Sequence, residues 1–214
     1  MNITVSLLES SADIKDQILV AIKNHIESKL PKASKAATDK IHPLIIKGLK
    51  EEPEYQSLVG GDLRLGMGIA DSSKVDDIIE KLASTISIEN KPITIGSNGL
   101  LGGFVITAIH SENFNGLLTD DSAVVVDTEK GYSLPWLDWL LLQGNKTIIT
   151  DYTMKVGPNP NSRTGMAIMV ESDRNWRVPP SFAGTKTNNW TTRAIQRIQK
   201  EVENIILKEV EKII

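Results

Sequence analysis

The strongest constraint on the fold is a helical repeat in the last 25 residues. Apolar residues recur there at steps of three and four, the spacing that aligns them along one side of an α-helix. They are Ile195, Ile198, Val202, Ile205, Ile206, Val210 and Ile213. Because Asn188 or Asn189 can cap its start, we predict one long helix over residues 188–214. A helix of this length either packs on the chain's own sheet or reaches a neighbouring subunit with its far end.

The first 50 residues also have helical spacing, but with interruptions. Ser10 or Ser11 can cap a helix whose isoleucines then follow at steps of four. Pro31 and Pro43 each remove a backbone donor, which kinks or ends a helix. The pattern therefore predicts a bent helical arm in two or three parts.

Strand-like patterns dominate the middle of the chain. Short apolar runs with alternating side chains lie between residues 86 and 171, with a turn predicted at residues 90–92. The first ten residues and residues 63–69 also alternate and are predicted to be strands. Because the loops between the strands are short, we expect mostly antiparallel pairing.

These patterns together predict an α+β fold: a mostly antiparallel sheet with a bent N-terminal helical arm and a long C-terminal helix. Residues 1–85 form mainly the helical arm and a further helix, residues 86–171 the sheet, and residues 188–214 the last helix. No linker is long or polar enough to separate independent domains. We therefore expect a single domain over residues 1–214.

Composition narrows the class of protein further. The chain of 214 residues has no cysteine, which excludes disulfides, thiol nucleophiles and cysteine-bound metal centres. Its net charge of −3 argues against nucleic-acid binding by the entire protein surface. No apolar run approaches the roughly 18 residues of a membrane span, and the first ten residues lack the features of a signal peptide. We expect a soluble protein made inside a cell, with no membrane partner.

The residues that usually carry catalysis form no recognisable motif. His25, His42 and His110 have no metal-ligand spacing. Asp120 and Asp121 can bind a cation or act as acid and base, but such a pair is more often a turn or a helix cap. We therefore predict no catalytic residue, no metal and no cofactor, and a protein that is not an enzyme.

Two further features have ordinary structural explanations. The glycine-rich residues 96–103 are followed by neither Lys-Ser nor Lys-Thr, so they are not a phosphate-binding loop. Asp138, between two tryptophans, can be an acid in apolar surroundings. We favour instead a short helix after Pro135 whose Trp136 and neighbouring leucines are core, with Asp138 facing solvent.

A local excess of lysine distinguishes residues 11–50. Four acidic residues accompany eight lysines there, a balance of +4 within an acidic chain. The lysines are Lys15, Lys23, Lys29, Lys32, Lys35, Lys40, Lys47 and Lys50. A solvated face is the favoured interpretation, and non-specific contact with the DNA backbone is the alternative.

Residues 134–195 contain all four tryptophans of the chain. Within this stretch, we predict an exposed loop at residues 157–165 and a turn made rigid by a proline pair at residues 176–184. Arginines and aromatic rings beside rigid turns suit a docking surface, although the tryptophans can equally fill the core. The candidate interface residues are Arg163, Arg174, Trp176, Arg177, Pro179, Pro180, Phe182 and Trp190.

This part of the chain resembles virion proteins of tailed bacteriophages from the neck and tail-completion region. The resemblance covers the last third of the chain and is carried by LPWLDWLLLQGNKTI, SRTGMAIM, WRVPPSFAGT and NNWTTRAI. The lysine-rich arm followed by VGGDLRLGMG at residues 59–68 is similar to the long helix and the leucine- and arginine-bearing strand of tail-completion proteins related to minor tail components.

The resemblance implies a structural subunit of a homo-oligomeric ring at the head–tail junction of the virion, assembled in the host cytoplasm. Its implied partners are further copies of itself and the neck, connector and tail-tube proteins, with passing DNA as a non-specific contact. A tail terminator and a head-completion protein remain alternatives. So do a DNA-binding packaging accessory acting through residues 11–50 and a virion-associated hydrolase using His110, Asp120 and Asp121.

Overall fold

The computed structural model describes residues 9–97, 99–107, 111–126 and 131–213. Its helices are α1 (Ser11–Lys50), α2 (Pro53–Gly60), α3 (Asp62–Met67), α4 (Ser73–Ser84), α5 (Ser111–Leu118), α6 (Trp136–Leu141) and α7 (Trp190–Glu211). Its strands are β1 (Ser87–Gly96), β2 (Gly99–Thr107), β3 (Val125–Val126), β4 (Ser133–Leu134), β5 (Thr147–Ile149), β6 (Tyr152–Val156), β7 (Ala167–Glu171) and β8 (Trp176–Arg177). The predicted α+β class is confirmed, whereas the strand predicted within the first ten residues lies almost wholly outside the described residues.

Helix α1 is continuous over 40 residues, so the predicted division into two or three parts is wrong. Each proline removes one hydrogen bond of the helix. Pro31 and Pro43 are exposed, while Leu30 and Leu44 beside them are buried. Packing of these neighbours holds the helical path across both prolines, as tertiary contacts commonly do for long helices.

Both long helices begin with the predicted side-chain caps. The Ser10 hydroxyl accepts a hydrogen bond from the Asp13 amide at 3.2 Å, and the Asp13 carboxylate accepts one from the Ser10 amide at 3.1 Å. The Asn189 side-chain oxygen accepts one from the Thr192 amide at 3.0 Å. Of the two caps possible in each case, the structure selects Ser10 and Asn189.

The strand predicted over residues 63–69 is wrong, because residues 62–67 form helix α3. Leu63 and Met67 are four residues apart and fully buried, which fits one side of a helix. Gly68 then adopts a left-handed conformation and ends the helix. Alternation over so few residues does not separate a strand from a helix.

All strand pairs of the described residues are antiparallel, as predicted. They form four two-stranded ladders and not one sheet: β1 with β2, β3 with β4, β5 with β8, and β6 with β7. The predicted turn at residues 90–92 is wrong, because β1 runs through Pro92 with a register shift between Lys91 and Thr94. The predicted strand over residues 146–156 is split at Asp151, whose φ of 59° cannot continue a strand.

The chain divides into two compact units, each of which contains both helix and strand. The first unit comprises residues 1–40, 87–107 and 203–214, and the second comprises residues 41–86 and 108–202. The predicted single domain over residues 1–214 therefore stays a prediction.

The core of the second unit is built from helices. Trp136, Leu137, Leu140 and Leu141 of α6 are fully buried, as predicted for a short helix after Pro135. Ile198 of α7 is buried and packs against Gly48 of α1. In this unit the last helix therefore packs on helix α1, while packing on a sheet and contact with a neighbouring subunit stay predictions.

Candidate docking surface

Helix α3 is held at both ends by one arginine. The Arg64 guanidinium donates hydrogen bonds to the carbonyl oxygens of Val59 and Ile69 at 3.1 Å and of Ala70 at 2.8 Å. Charge-assisted hydrogen bonds of this kind are among the strongest in proteins. The hydrogen bonds from Arg64 to backbone carbonyl groups therefore hold the GGDLRLGMG segment rigidly in place.

The first candidate interface residue that contacts this segment is Trp176. Its indole lies against Gly66, so closely that a Cβ at position 66 would overlap the ring. Trp176 is half-buried, so part of its ring remains accessible. A glycine at this point of α3 is therefore what allows the aromatic side chain to approach the helix backbone.

The second candidate is Arg163, at the other end of α3. Its guanidinium Nη1 lies 3.3 Å from where a Cβ of Gly68 would stand. Gly68 has a φ of 70°, a conformation that favours glycine. The exposed Arg163 therefore reaches the C-terminal end of the helix whose middle contacts Trp176.

The loop that carries Arg163 connects β6 to β7 and is strongly hydrogen-bonded within itself. The Gly157 amide donates to the Met166 carbonyl at 2.8 Å, and the Asn159 amide donates to the Gly165 carbonyl at 2.9 Å. The Ser162 hydroxyl donates to the Ala167 carbonyl. These bonds fix the exposed loop predicted at residues 157–165 in one conformation, which lowers the entropy lost on binding.

The third candidate, Phe182, lies at the start of α3. With Pro53, Gly61 and Asp62 it lines a shallow open cleft of about 590 Å³. Phe182 is half-buried, and its amide donates to the Pro179 carbonyl at 2.9 Å in the tight turn of the proline pair. Phe182, Trp176 and Arg163 thus mark the start, middle and end of the same short helix.

The remaining surface candidates lie in the chain segment around Trp176. Arg174, Arg177 and Pro180 are exposed, and Pro179 is half-buried. We group these four residues, by their place in the chain, with Arg163, Trp176 and Phe182, which lie along α3. This set is called the α3 surface: Arg163, Arg174, Trp176, Arg177, Pro179, Pro180 and Phe182. Its composition of arginines and rings on rigid backbone is typical of interface centres.

Trp190 does not belong to this surface. Its side chain is fully buried, and its indole N–H donates to the Leu49 carbonyl at 3.0 Å. The ring occupies the core between α7 and α1, so the sequence-based assignment of Trp190 to a docking surface is corrected. Of the four tryptophans, Trp136 and Trp190 are core, whereas Trp139 and Trp176 are half-buried.

A larger cleft of about 710 Å³ adjoins the Arg163 end of the α3 surface. Its charged lining residues are Arg163, Lys74 and Asp71. Asp71 accepts hydrogen bonds from the amide and the hydroxyl of Ser73 at 2.9 and 2.8 Å, and these lower the pKa of its carboxyl. The charged lining of the cleft therefore consists of two cations and one stable carboxylate.

One of the two acids considered for catalysis, Asp120, has a structural role. Asp120 caps a short 3₁₀ helix by accepting from the Ser122 amide at 2.9 Å and forms an ion pair with Lys81 at 2.7 Å. The hydrogen bond from Lys81, followed by the one from Ser122, lowers the pKa of Asp120. Asp121 is exposed, and His110 lies outside the described residues. The favoured interpretation as a helix cap is confirmed for Asp120.

Several lysines of α1 are engaged by acidic side chains. Lys40 pairs with Glu209, Lys50 with Asp76 at 2.8 Å, Lys47 with Glu51 at 3.8 Å and Lys23 with Glu27 at 4.0 Å. The hydrogen bond that Lys40 donates to Glu209 raises the pKa of Lys40, and the one that Lys50 donates to Asp76 raises the pKa of Lys50. Contact between these lysines and DNA stays a prediction.

An ion-pair network between α7 and the α1–α2 junction is absent from the sequence-based predictions. Arg193 pairs with Glu54, and Arg197 pairs with Glu52 at 2.9 Å and with Glu51 at 2.5 Å. Two sequence features indicate this network: the arginines are four residues apart on one helix, and the junction contains an EEPE run. Such spacing is common on solvated helices, so only the fold identifies the partners.

Over the described ranges, no group of three or more histidine and acidic side chains is placed to hold a metal ion. In the same part of the chain, no helix has the length and apolar character needed to cross a membrane. No protein-family model, curated protein or solved structure matches the chain.

Proposed function

We propose that this protein is a structural subunit of a tailed-bacteriophage virion, which forms a ring in the neck or tail-completion region and joins the tail to the head connector. The proposal is supported by the resemblance in the last third of the chain. It is also supported by the convergence of Arg163, Trp176 and Phe182 on α3. A tail terminator and a head-completion protein are the alternatives to this proposal.

The α3 surface is the observation that carries the proposal. Its rings and arginines stand on backbone that is fixed by Arg64, by the loop hydrogen bonds and by the proline pair. A preorganised surface binds with little loss of entropy, which suits stable assembly. The proposed mechanism is assembly by surface complementarity, without a chemical step.

The proposal is tested by locating the chain in phage particles. A tag at the C-terminus, labelled with gold and viewed by electron microscopy, is expected at the head–tail junction. A label elsewhere on the particle, or none on particles that are otherwise complete, contradicts the proposed position.

A matched pair of variants tests the role of the α3 surface. Arg177→Glu reverses an exposed charge on it, whereas Lys200→Glu reverses an exposed charge on α7 outside it. We expect Arg177→Glu to lower the yield of joined particles at least about tenfold, the effect of roughly 1.4 kcal/mol in a contact. Equal yields for both variants would remove the α3 surface from assembly.

A further inference from the structure

Strand β2 has an edge that no other described residue of the chain protects against pairing. In the part of the chain that the structure describes, β1 and β2 pair only with each other. β1 contains Glu89, Lys91 and Pro92, which are residues that discourage a further strand. β2 has the sequence GLLGGFVIT, with neither charge nor proline. The two edges of this hairpin are therefore chemically different, and only the β2 edge favours a new strand.

The hairpin buries little of its own apolar surface. Ile93 is the one buried residue of its two strands, while Leu101 is 65% exposed, Ile95 41% and Ile106 36%. A two-stranded hairpin is marginally stable in water, and a third strand adds both hydrogen bonds and apolar contact. The exposed side chains and the open edge thus lie on the same element.

The charge of the first unit indicates the chemistry of the partner. Its described residues include nine lysines and nine acidic residues, and no arginine. A balanced surface of this kind gives no net attraction to nucleic acid or to a strongly charged protein. A balanced surface is not repelled by another balanced surface, and a second copy of the chain provides one.

The sequence of β2 also matches itself when two copies run antiparallel about Gly103. In that register Leu101 faces Val105, Leu100 faces Ile106, and Phe104 faces Gly102 of the other copy. An aromatic ring opposite a glycine covers the exposed backbone there. Gly102 and Gly103 have φ values of 155° and 143°, which favour glycine, and a Cβ at Gly103 would meet no atom within 4 Å.

We propose that β2 pairs with β2 of a second copy of this chain, antiparallel and two-fold symmetric about Gly103. The contact is isologous, so each copy presents the same nine residues to the other. This inference concerns the free protein in solution and does not rest on the proposed virion function.

Cysteine cross-linking tests the register, because the chain has no cysteine of its own. Opposed residues of antiparallel strands have Cα atoms about 4.5–5.5 Å apart, within the range of a disulfide. The double variant Leu101→Cys, Val105→Cys is therefore expected to form a covalent dimer under mild oxidation. Either single variant places its two cysteines about 13 Å apart along the strands and is expected to stay uncrosslinked.

Sedimentation measured against concentration tests the association itself. We expect a reversible dimer of the unmodified chain, weakened at least tenfold by Leu101→Lys, because lysine protects strand edges. Val156→Lys is the matched control, since Val156 is an exposed strand residue of the other unit, and it is expected to leave dimerisation unchanged. Both substituted side chains are exposed, and circular dichroism checks that both variants fold.

Three results would overturn the proposal. One is a chain that sediments as a monomer up to about 1 mM, a concentration at which even a weak contact is populated. Another is cross-linking of the single-cysteine variants as efficiently as of the double variant. The third is equal weakening of dimerisation by Leu101→Lys and Val156→Lys.

Discussion

Arg193 forms an ion pair with Glu54, a carboxylate whose side chain is only 1% exposed. The second oxygen of this carboxylate, Oε2, is buried without a hydrogen-bond partner among the described residues. Arg193 also donates to the Asn188 side chain at 2.8 Å, so it connects the start of α7 to α2. The arginine is thus the group that compensates for burying the charge of Glu54.

Replacement of this arginine is the first prediction. We expect Arg193→Met to lower the free energy of unfolding by about 3–5 kcal/mol, because it leaves a buried charge unpaired. The double variant Arg193→Met, Glu54→Leu removes both charges and is expected to recover most of that loss. Urea denaturation of the single and double variants measures both effects. A double variant as unstable as the single one contradicts the assigned role of Glu54.

The second prediction concerns the contact between Gly66 and Trp176. Gly66→Ala places a methyl group where the indole lies, so we expect a loss of about 1–3 kcal/mol in the free energy of unfolding. In a Trp176→Ala background, Gly66→Ala is expected to change the free energy of unfolding little. Gly60→Ala is the control, because a Cβ there meets no atom within 4 Å. If Gly66→Ala lowers the free energy of unfolding equally in the Trp176→Ala background, the contact with Trp176 is not the cause of the loss.

The third prediction uses the prolines of the helices. Pro43 lies exposed in the interior of α1, where it removes a hydrogen bond, so Pro43→Ala is expected to raise the free energy of unfolding by about 1–3 kcal/mol. Pro53 is at the first turn of α2, where proline is favourable, and Pro53→Ala is expected to give no gain. Thermal and urea denaturation compare the two. Destabilisation by Pro43→Ala would mean that the helix requires the proline at that position.

The fourth prediction is a pH dependence at Asp120. Because Lys81 and Ser122 lower the pKa of Asp120 in the folded chain, its contribution to stability is present above about pH 3.9, the ordinary value for aspartate. That contribution is lost as the pH falls through the lowered pKa. Lys81→Met is expected to raise the pKa of Asp120 and to reduce stability near neutral pH.

Carbon-detected NMR titration of the Asp120 carboxyl measures this pKa directly. The difference in stability between the unmodified chain and Lys81→Met is expected to disappear in strong acid, where Asp120 is protonated in both. Lys35→Met, at an exposed lysine of α1, serves as the control and is expected to leave the Asp120 titration unchanged. A titration of Asp120 that Lys81→Met leaves unchanged contradicts the prediction.

The candidate surface could be predicted only in part from the sequence. Arginines, rings and rigid turns between residues 157 and 184 were recognisable from composition and from the conformational limits of proline. The sequence did not predict that Arg163, Trp176 and Phe182 all lie along α3. Their positions there depend on contacts between distant segments of the chain. Trp190 is indistinguishable from Trp176 by residue type, and burial separates the two.

By itself the sequence determined the features that arise from local interactions. The α7 helix, the asparagine cap at its start and the short α6 helix follow from apolar spacing and capping side chains within a few residues of each other. Tertiary structure decided what local rules leave undetermined or oppose: the continuity of α1 across its prolines, the helical state of α3 and the partners of each strand. The physical reason is that burial and ion pairing between distant segments outweigh local preferences of about 1–3 kcal/mol.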